Sequence, residues 1–278
     1  MKKHLISILT LLFISATIFT SCQDDDNETP IPTSQVTTAK QYKDIEGANS
    51  RIQNMVQDVF NIESGFINNR VLNNKLADCV TTTSEVTENT RTITIDFGDG
   101  CDVGDGEVIT GVIRLSFNLE LDTENKVTIT YSVENFTYKD ISVNGNATTV
   151  FSFNAETRNR KFITTSNFTF TWGDGLSAIS ETSFENETFF EANPDSPTDF
   201  EYYTLTSGTS TTTFGNGDIY SVEITTPLRN EKDCNYIVSG VIVTSENSDT
   251  STLDYGNGEC DNIATLTDKD GNETTIEL

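Results

Sequence analysis

The apolar residues of this chain change their period as the sequence proceeds. From Leu5 to Phe19 they run almost unbroken, interrupted only by small hydroxyl residues and preceded by Lys2 and Lys3. Between Ala39 and Phe60 they recur at helical spacing, at Ile45, Ala48, Ile52, Val56, Val59 and Phe60, with Lys43, Glu46, Arg51, Gln53 and Asp58 between them. This is one amphipathic helix whose stripe should pack on the rest of the domain. Beyond Val80 the period falls to two. Ile113, Leu115, Phe117, Leu119 and Leu121 alternate with Arg114, Ser116, Asn118 and Glu120, and the same rhythm returns over Val127–Glu134 and Tyr220–Thr225. Strands with one polar face belong to antiparallel sheets, and no helical stretch intervenes to supply parallel crossovers. The expected fold class is therefore all-β, a long antiparallel meander with one N-terminal amphipathic helix.

Glycine-rich punctuation supports this reading. Phe97-Gly98-Asp99-Gly100, Trp172-Gly173-Asp174-Gly175, Phe214-Gly215-Asn216-Gly217 and Tyr255-Gly256-Asn257-Gly258 repeat one phrase. Asp-Gly and Asn-Gly supply the positive φ angles of tight hairpins, so each phrase predicts a turn, with further turns at Asn144-Gly145 and Asp270-Gly271. A meander of about a dozen strands or more must curl into a barrel-like shape or fold into two layers. The stretch Val108–Leu121 would reach roughly 45 Å as a strand, which favours a large curled sheet.

Two of the phrases sit in a larger repeat. Cys79 precedes Asp96-Phe97-Gly98-Asp99-Gly100-Cys101-Asp102, and Cys234 precedes Asp254-Tyr255-Gly256-Asn257-Gly258-Glu259-Cys260-Asp261. The repeat favours disulfides Cys79–Cys101 and Cys234–Cys260, each contributing roughly 3 kcal/mol. Reduced thiols, or zinc on all four thiolates, are the alternatives.

The N-terminus sets the compartment. Positive charge, a short apolar run and Phe19-Thr20-Ser21-Cys22 make a secretory signal over residues 1–21, with Cys22 as the lipidation site. Thr20 and Ser21 depart from the usual small residues of such a site. Residues 22–38, opening Cys22-Gln23-Asp24-Asp25-Asp26, read as a lipidated cysteine and a disordered acidic tether, leaving 39–278 as a single β-rich domain with its N-terminal helix. The expected location is the outer membrane, lipid-anchored and facing the cell exterior. Net charge is −26 with His4 as the sole histidine. Loss of the signal removes that histidine and two basic residues, leaving 15 basic against 43 acidic residues and a net charge of −28. Such a surface repels nucleic acid, and without histidine there is no Ser-His-Asp or Cys-His nucleophile system.

The stretches Ile93–Cys101 and Gly258–Thr265, together with the Cys22 site and the helix, resemble a family of uncharacterised Bacteroidota β-rich lipoproteins carrying an Asp-[Phe/Tyr]-Gly-[Asp/Asn]-Gly-Cys-Asp repeat, with at most one extra residue before the cysteine. The resemblance implies this fold and address, and no activity.

Candidate chemistry is sparse. Asp96, Asp99, Asp102 and Asp105, with Glu107, crowd one turn with oxygen ligands suited to calcium, though at no EF-hand spacing. Asp268-Lys269-Asp270-Gly271-Asn272-Glu273 starts like such a loop but lacks the glycine at its sixth position and a downstream bidentate glutamate in register. No other cofactor is expected. Tyr131, Phe168, Phe170 and Trp172 are candidate ligand contacts, with Trp172 also fitted to pack at a strand end. The expectation is a surface-anchored lipoprotein with a structural or interaction role in the cell envelope and no enzymatic activity. Its partners would be the membrane, through the lipid, and an envelope protein or glycan. A glycan- or lipid-binding module and a carboxylate-dependent hydrolase are the alternatives. The first of these predicts an aromatic-lined cavity, the second two convergent carboxylates.

Overall fold

The computed structural model describes residues 33–64, 76–104, 107–192 and 200–278. The signal over 1–21, Cys22, the first part of the tether and Asp105 lie outside them. Helix α1 (Thr33–Glu63) is followed by β1 (Thr81–Thr87), β2 (Thr90–Asp96), β3 (Cys101–Asp102), β4 (Val108–Asn118), β5 (Lys126–Tyr138), β6 (Ile141–Phe153) and β7 (Arg160–Trp172). Then come β8 (Ser177–Ala192), β9 (Phe200–Phe214), β10 (Ile219–Glu231), β11 (Ile237–Glu246), β12 (Asp249–Asn257), β13 (Ile263–Thr267) and β14 (Glu273–Glu277). All belong to one 14-stranded antiparallel sheet in chain order, with β3 set beside β4 as well. Its edges, β1 and β14, do not pair, so the sheet curls without closing.

The concave side holds α1. Its 31 residues span about 46 Å at 1.5 Å per residue. That matches β5, β6 and β7, each of 13 residues and about 43 Å long. Tyr42, Ile45, Ala48, Ile52, Met55, Val56, Val59 and Phe60 are all buried against the sheet. Phe60 is the centre of one end, with the rings of Phe117 on β4, Phe151 on β6 and Phe162 on β7 at 5.0, 5.1 and 6.3 Å. At the other end Tyr42 stacks on Tyr220 of β10 at 5.0 Å. Ion pairs Arg51–Glu107 and Arg91–Glu63 fasten the helix to the strands. Each fully buried large side chain contributes about 1.5–3 kcal/mol, whereas partly exposed pairs contribute about 0–1 kcal/mol. The apolar stripe therefore dominates.

The helix begins at Thr33, inside the expected tether. Buried Thr38 explains the extension, because its hydroxyl donates to Asp218 Oδ2 at 3.0 Å and lies 3.0 Å from the Tyr220 hydroxyl. Tertiary anchoring carries the helix past the end of its apolar stripe.

The repeated phrase has two structural outcomes. At Trp172–Gly175 and Phe214–Gly217 it forms hairpin turns, closed by Gly175 N–H to Trp172 O at 3.0 Å and Gly217 N–H to Phe214 O at 2.9 Å. In the cysteine-flanked copies it is not a hairpin. Asp96 faces Val112 and Cys101 faces Ile109, so Phe97–Gly100 is a bulge beyond which β3 resumes pairing with β4. The fourth copy likewise stays on β11, where Asp254 faces Val241, Asn257 faces Ser239 and Gly258 N–H donates to Val238 O. Cys79–Cys101 and Cys234–Cys260 stand at bonding distance, Sγ–Sγ 2.01 and 2.03 Å.

Asn144-Gly145 is mid-strand, not a turn. The hairpin falls at Lys139-Asp140, whose φ angles of +46° and +67° suit a two-residue turn. Gly145 serves close packing instead, since it faces Phe168 across the ladder. A Cβ there would stand 2.3 Å from Asn167 O and 2.8 Å from Phe168 Cδ1. Gly208 repeats the device, facing Phe184 with Ser183 O at 2.2 Å from a Cβ. Aromatic rings laid over strand glycines allow the sheet to bend. Gly145→Ala should accordingly cost roughly 1–3 kcal/mol in urea unfolding. Gly173→Ala, with nothing within 4 Å, should be close to neutral, and equal effects would contradict this account of the bend.

Candidate functional site

The interior has two unlike halves. Against β2, β4, β5 and β6 the helix presents its apolar stripe, and the inward strand residues include Ile93, Ile95, Ile113, Leu115, Phe117, Val127, Ile129 and Val133. Toward β7–β11 it presents Asn49, Gln53, Gln57 and Asn61, one residue per turn at i, i+4 spacing, beside Glu46, Ser50 and Asn54. Between this face and the strands lies a cleft of about 660 Å³, within the size range of small-molecule sites. From Glu46 to Asn61 it runs about 22 Å along the helix.

Strands β7–β9 answer the helix largely in kind, whereas β10 and β11 line the cleft with Val222, Ile224, Leu228 and Ile242. Period-two alternation sends Ser180, Thr182, Phe184, Asn186, Thr188 and Phe190 of β8 inward. Their partners on β9 are Thr212, Ser210, Gly208, Thr206, Thr204 and Tyr202. Hydroxyls and amides pair across the ladder, Thr206 Oγ1 donating to Asn186 Oδ1 at 2.8 Å and Thr188 and Thr204 hydroxyls meeting at 3.2 Å. Ser166 of β7 meets Thr182 at 2.7 Å. One aromatic, Phe184, interrupts this polar wall where Gly208 leaves room for its ring. At the open end Phe190 and Tyr202 pack at 5.9 Å and the Arg160 guanidinium lies over Phe190 at 5.1 Å.

Several polar atoms here are sealed from solvent without a partner: Asn49 Oδ1, Gln53 Nε2, Asn61 Oδ1, Arg160 Nε and Asn230 Oδ1. Each belongs to a residue lining the cleft. Buried polar groups are normally satisfied, and five of the nine unpaired atoms among the described residues belong to this lining. Burial also lowers the Arg160 guanidinium from its ordinary value.

Glu46 closes the deep end. Burial pushes its carboxyl up from an ordinary 4.5 to about 7, against hydrogen bonds from Ser210 and Tyr42 that favour the ionised form. Ser210 Oγ donates to Glu46 Oε1 at 3.4 Å and lies 3.3 Å from the Tyr42 hydroxyl. The other lining carboxylates, Glu231 and Asp233, belong to the end where Glu231 pairs with Tyr203. Ser210 is seven residues farther along β9, roughly 23 Å away. Among the described residues lining the cleft, Glu46 therefore has no carboxylate partner at the spacing of about 5–9.5 Å that glycoside hydrolysis needs.

The candidate residues from the sequence divide. Tyr131 and Phe168 line the cleft. Phe170 is wholly buried in the core, and Trp172 stacks on Phe214 at 6.0 Å at a strand end outside the cleft. Of the calcium candidates, Asp96 and Asp102 each accept a nearby backbone N–H, from Gly98 at 2.8 Å and Gly104 at 2.9 Å. Glu107 is taken by Arg51 and Tyr138, and Asp268 accepts from the backbone of Asp270 and Asn272. Among the described residues no cluster of three or more histidine, cysteine or carboxylate side chains could hold a metal ion. The amide row on α1 was not foreseen. Its signal was the choice of Asn and Gln, where a solvated helix face in so acidic a chain would carry charge. No protein-family model, curated protein or solved structure matches the chain.

Because the folded pKa of Glu46 lies above its unfolded value, its contribution to stability is present below pH 4.5 and is lost as pH rises through about 7. By linkage the loss amounts to roughly 3 kcal/mol. Urea unfolding of wild type and Glu46→Gln at pH 4 to 8 measures it. The difference between the two should move against wild type by that amount as pH rises, and parallel profiles would overturn the assignment.

Proposed function

We propose that the mature protein is a lipid-anchored cell-surface protein that holds a small, extended ligand in the cleft between α1 and β7–β11. The anchor rests on the signal pattern, Cys22 and the acidic segment behind it, features shared with the Bacteroidota lipoproteins that the cysteine repeats resemble. More than one lipid chain on the cysteine would make the attachment stable. In the described residues no helix is long and apolar enough to cross a membrane, and the Cys22 lipid would supply attachment in its place.

The observation that carries the binding role is the polar half of the interior. A sheet curled around a helix for strength alone is best served by apolar packing on both sides, as β2–β6 provide. Hydroxyls on β7–β9 facing amides on the helix cost stability wherever they stay unpaired, about 1–3 kcal/mol for each buried group. Such a cost is retained where function uses the groups. The structural or envelope-interaction role expected from the sequence then becomes the setting: a tether, a rigid sheet and a site displayed outward.

Two measurements test this reading. Palmitate labelling in the native host should mark wild type and miss Cys22→Ala, and unchanged labelling of the variant would refute the anchor. For the site, a thermal-shift panel of neutral oligosaccharides, uronate oligosaccharides and fatty acids should contain at least one class that raises the melting temperature of wild type. It should have no effect on Thr206→Trp, which fills the cleft. A panel silent throughout, or one acting equally on both proteins, would overturn the binding role.

A further inference from the structure

We infer that the cleft is built for a neutral carbohydrate chain, lying lengthwise beside α1 with its hydroxyls on the helix amides and a ring face on Phe184. This rests on the cleft being the ligand site and adds the class of ligand.

Helix α1 lines the cleft with the amide side chains of Asn49, Gln53, Asn54, Gln57 and Asn61. An amide presents both donor and acceptor and no charge. A sugar hydroxyl also donates and accepts, so a row of amides at one-turn intervals matches a row of hydroxyls. A fatty acyl chain could lie on Val222, Ile224, Leu228 and Ile242 of β10 and β11 but could make no hydrogen bond to the amides. It would also meet the hydroxyl pairs Ser166–Thr182 and Thr188–Thr204 on the facing wall. Those hydroxyls can rotate and retain capacity for a ligand while still bonded to each other.

Charge argues against ionic ligands. The cations on the lining are Arg160 and Lys232, and they share it with Glu46, Glu231 and Asp233. Neither sign prevails, and Glu231 is held by Arg229 Nε at 3.0 Å. A uronate chain would find no bidentate basic site repeated along the cleft, and the chain as a whole carries a net charge of −26 that repels it.

The aromatic placement completes the match. A pyranose ring is polar around its rim and apolar on its faces. Phe184 stands between Thr182 and Asn186 on its own strand, and Gly208 lies opposite. An apolar face thus sits amid hydrogen-bonding groups. Tyr202, 41% exposed at the open end, offers a second flat surface where a longer chain would emerge. Phe184 and Tyr202 occupy separate rungs of the β8–β9 ladder, so the site suits several linked sugars better than one.

Calorimetric titration of the intact mature protein tests this with neutral gluco-, xylo- and manno-oligosaccharides of increasing length, alongside oligogalacturonate and a C16 fatty acid. At least one neutral series should bind, with affinity rising with chain length. Gln53→Leu and Phe184→Leu should each weaken it by about ten-fold or more with far-ultraviolet circular dichroism unchanged. Preferential binding of the fatty acid or the uronate, abolished by Thr206→Trp, would overturn the carbohydrate assignment and leave the cleft as a ligand site. Neutral sugar binding unaffected by all three variants would place the sugar elsewhere and also overturn it. No binding by any probe would remove both readings together.

Discussion

An open sheet has no core of its own, and burial of α1 is the constraint on which everything else depends. Fourteen strands in sequential antiparallel order could form a flat ribbon with two wetted faces. They curl because Ile45, Ile52, Val56, Val59 and Phe60 offer apolar surface that strands as distant in sequence as β4 and β10 can cover only by bending toward it. The helix, however, has a single apolar stripe. Once the sheet wraps past that stripe, the strands beyond it face Asn49, Gln53, Gln57 and Asn61. The inward positions of β7–β9 there are largely hydroxyls and amides, while β10 and β11 supply Val222, Ile224, Leu228 and Ile242. A dry half and a half of mixed, partly polar lining follow from wrapping a curved sheet around a two-faced helix.

The remaining features hold this arrangement in place. Arg51 and Glu63, about three turns apart, tie the helix to Glu107 and Arg91, fixing its rotation and hence which face looks into which half. The glycines under Phe168 and Phe184, on β6 and β9, allow the sheet to bend where those rings lie over it. Both disulfides lie at strand ends, Cys79–Cys101 beside the edge strand β1 and Cys234–Cys260 beside the open end of the cleft. The exposed edges carry charge, Glu85 on β1 and Glu273 and Glu277 on β14, which disfavours pairing with another sheet.

Much of the architecture was legible because it depends on period. Alternation from Ile113 onward identified a half-buried strand from local pattern alone, although β4 stops at Asn118, short of Leu121, and the Ile45–Phe60 stripe identified the helix. Features set by long-range contact were harder to read. Thr38 starts the helix early through Asp218 and Tyr220, distant in sequence. One aromatic-Gly-Asp-Gly phrase makes a hairpin at Trp172 and a bulge at Phe97, because the continuing partner, β4, determines which. Asn144-Gly145 has turn chemistry, but Gly145 is needed under Phe168, and only strand register shows that. The aromatic candidates divided for the same reason: Tyr131 and Phe168 reach the cleft, while Phe170, though inward-facing, is sealed in the core. The amide row has helical spacing, but a solvated helix face shows the same pattern, and only the facing strands distinguish the two. Here it faces an enclosed wall.

The claim that α1 divides the interior into a sealed half and an accessible half can be measured without any ligand, by thiol labelling of two adjacent helix positions. Gln57→Cys and Val56→Cys, each in the otherwise native protein with both disulfides intact, are exposed to a small maleimide under folding conditions. The account predicts ready modification of Gln57→Cys, lost when Thr206→Trp fills the cleft, and strong protection of Val56→Cys, whose parent residue is 1% exposed. Equal protection at both positions, or equal reactivity, would contradict the two-sided interior and with it the proposed site.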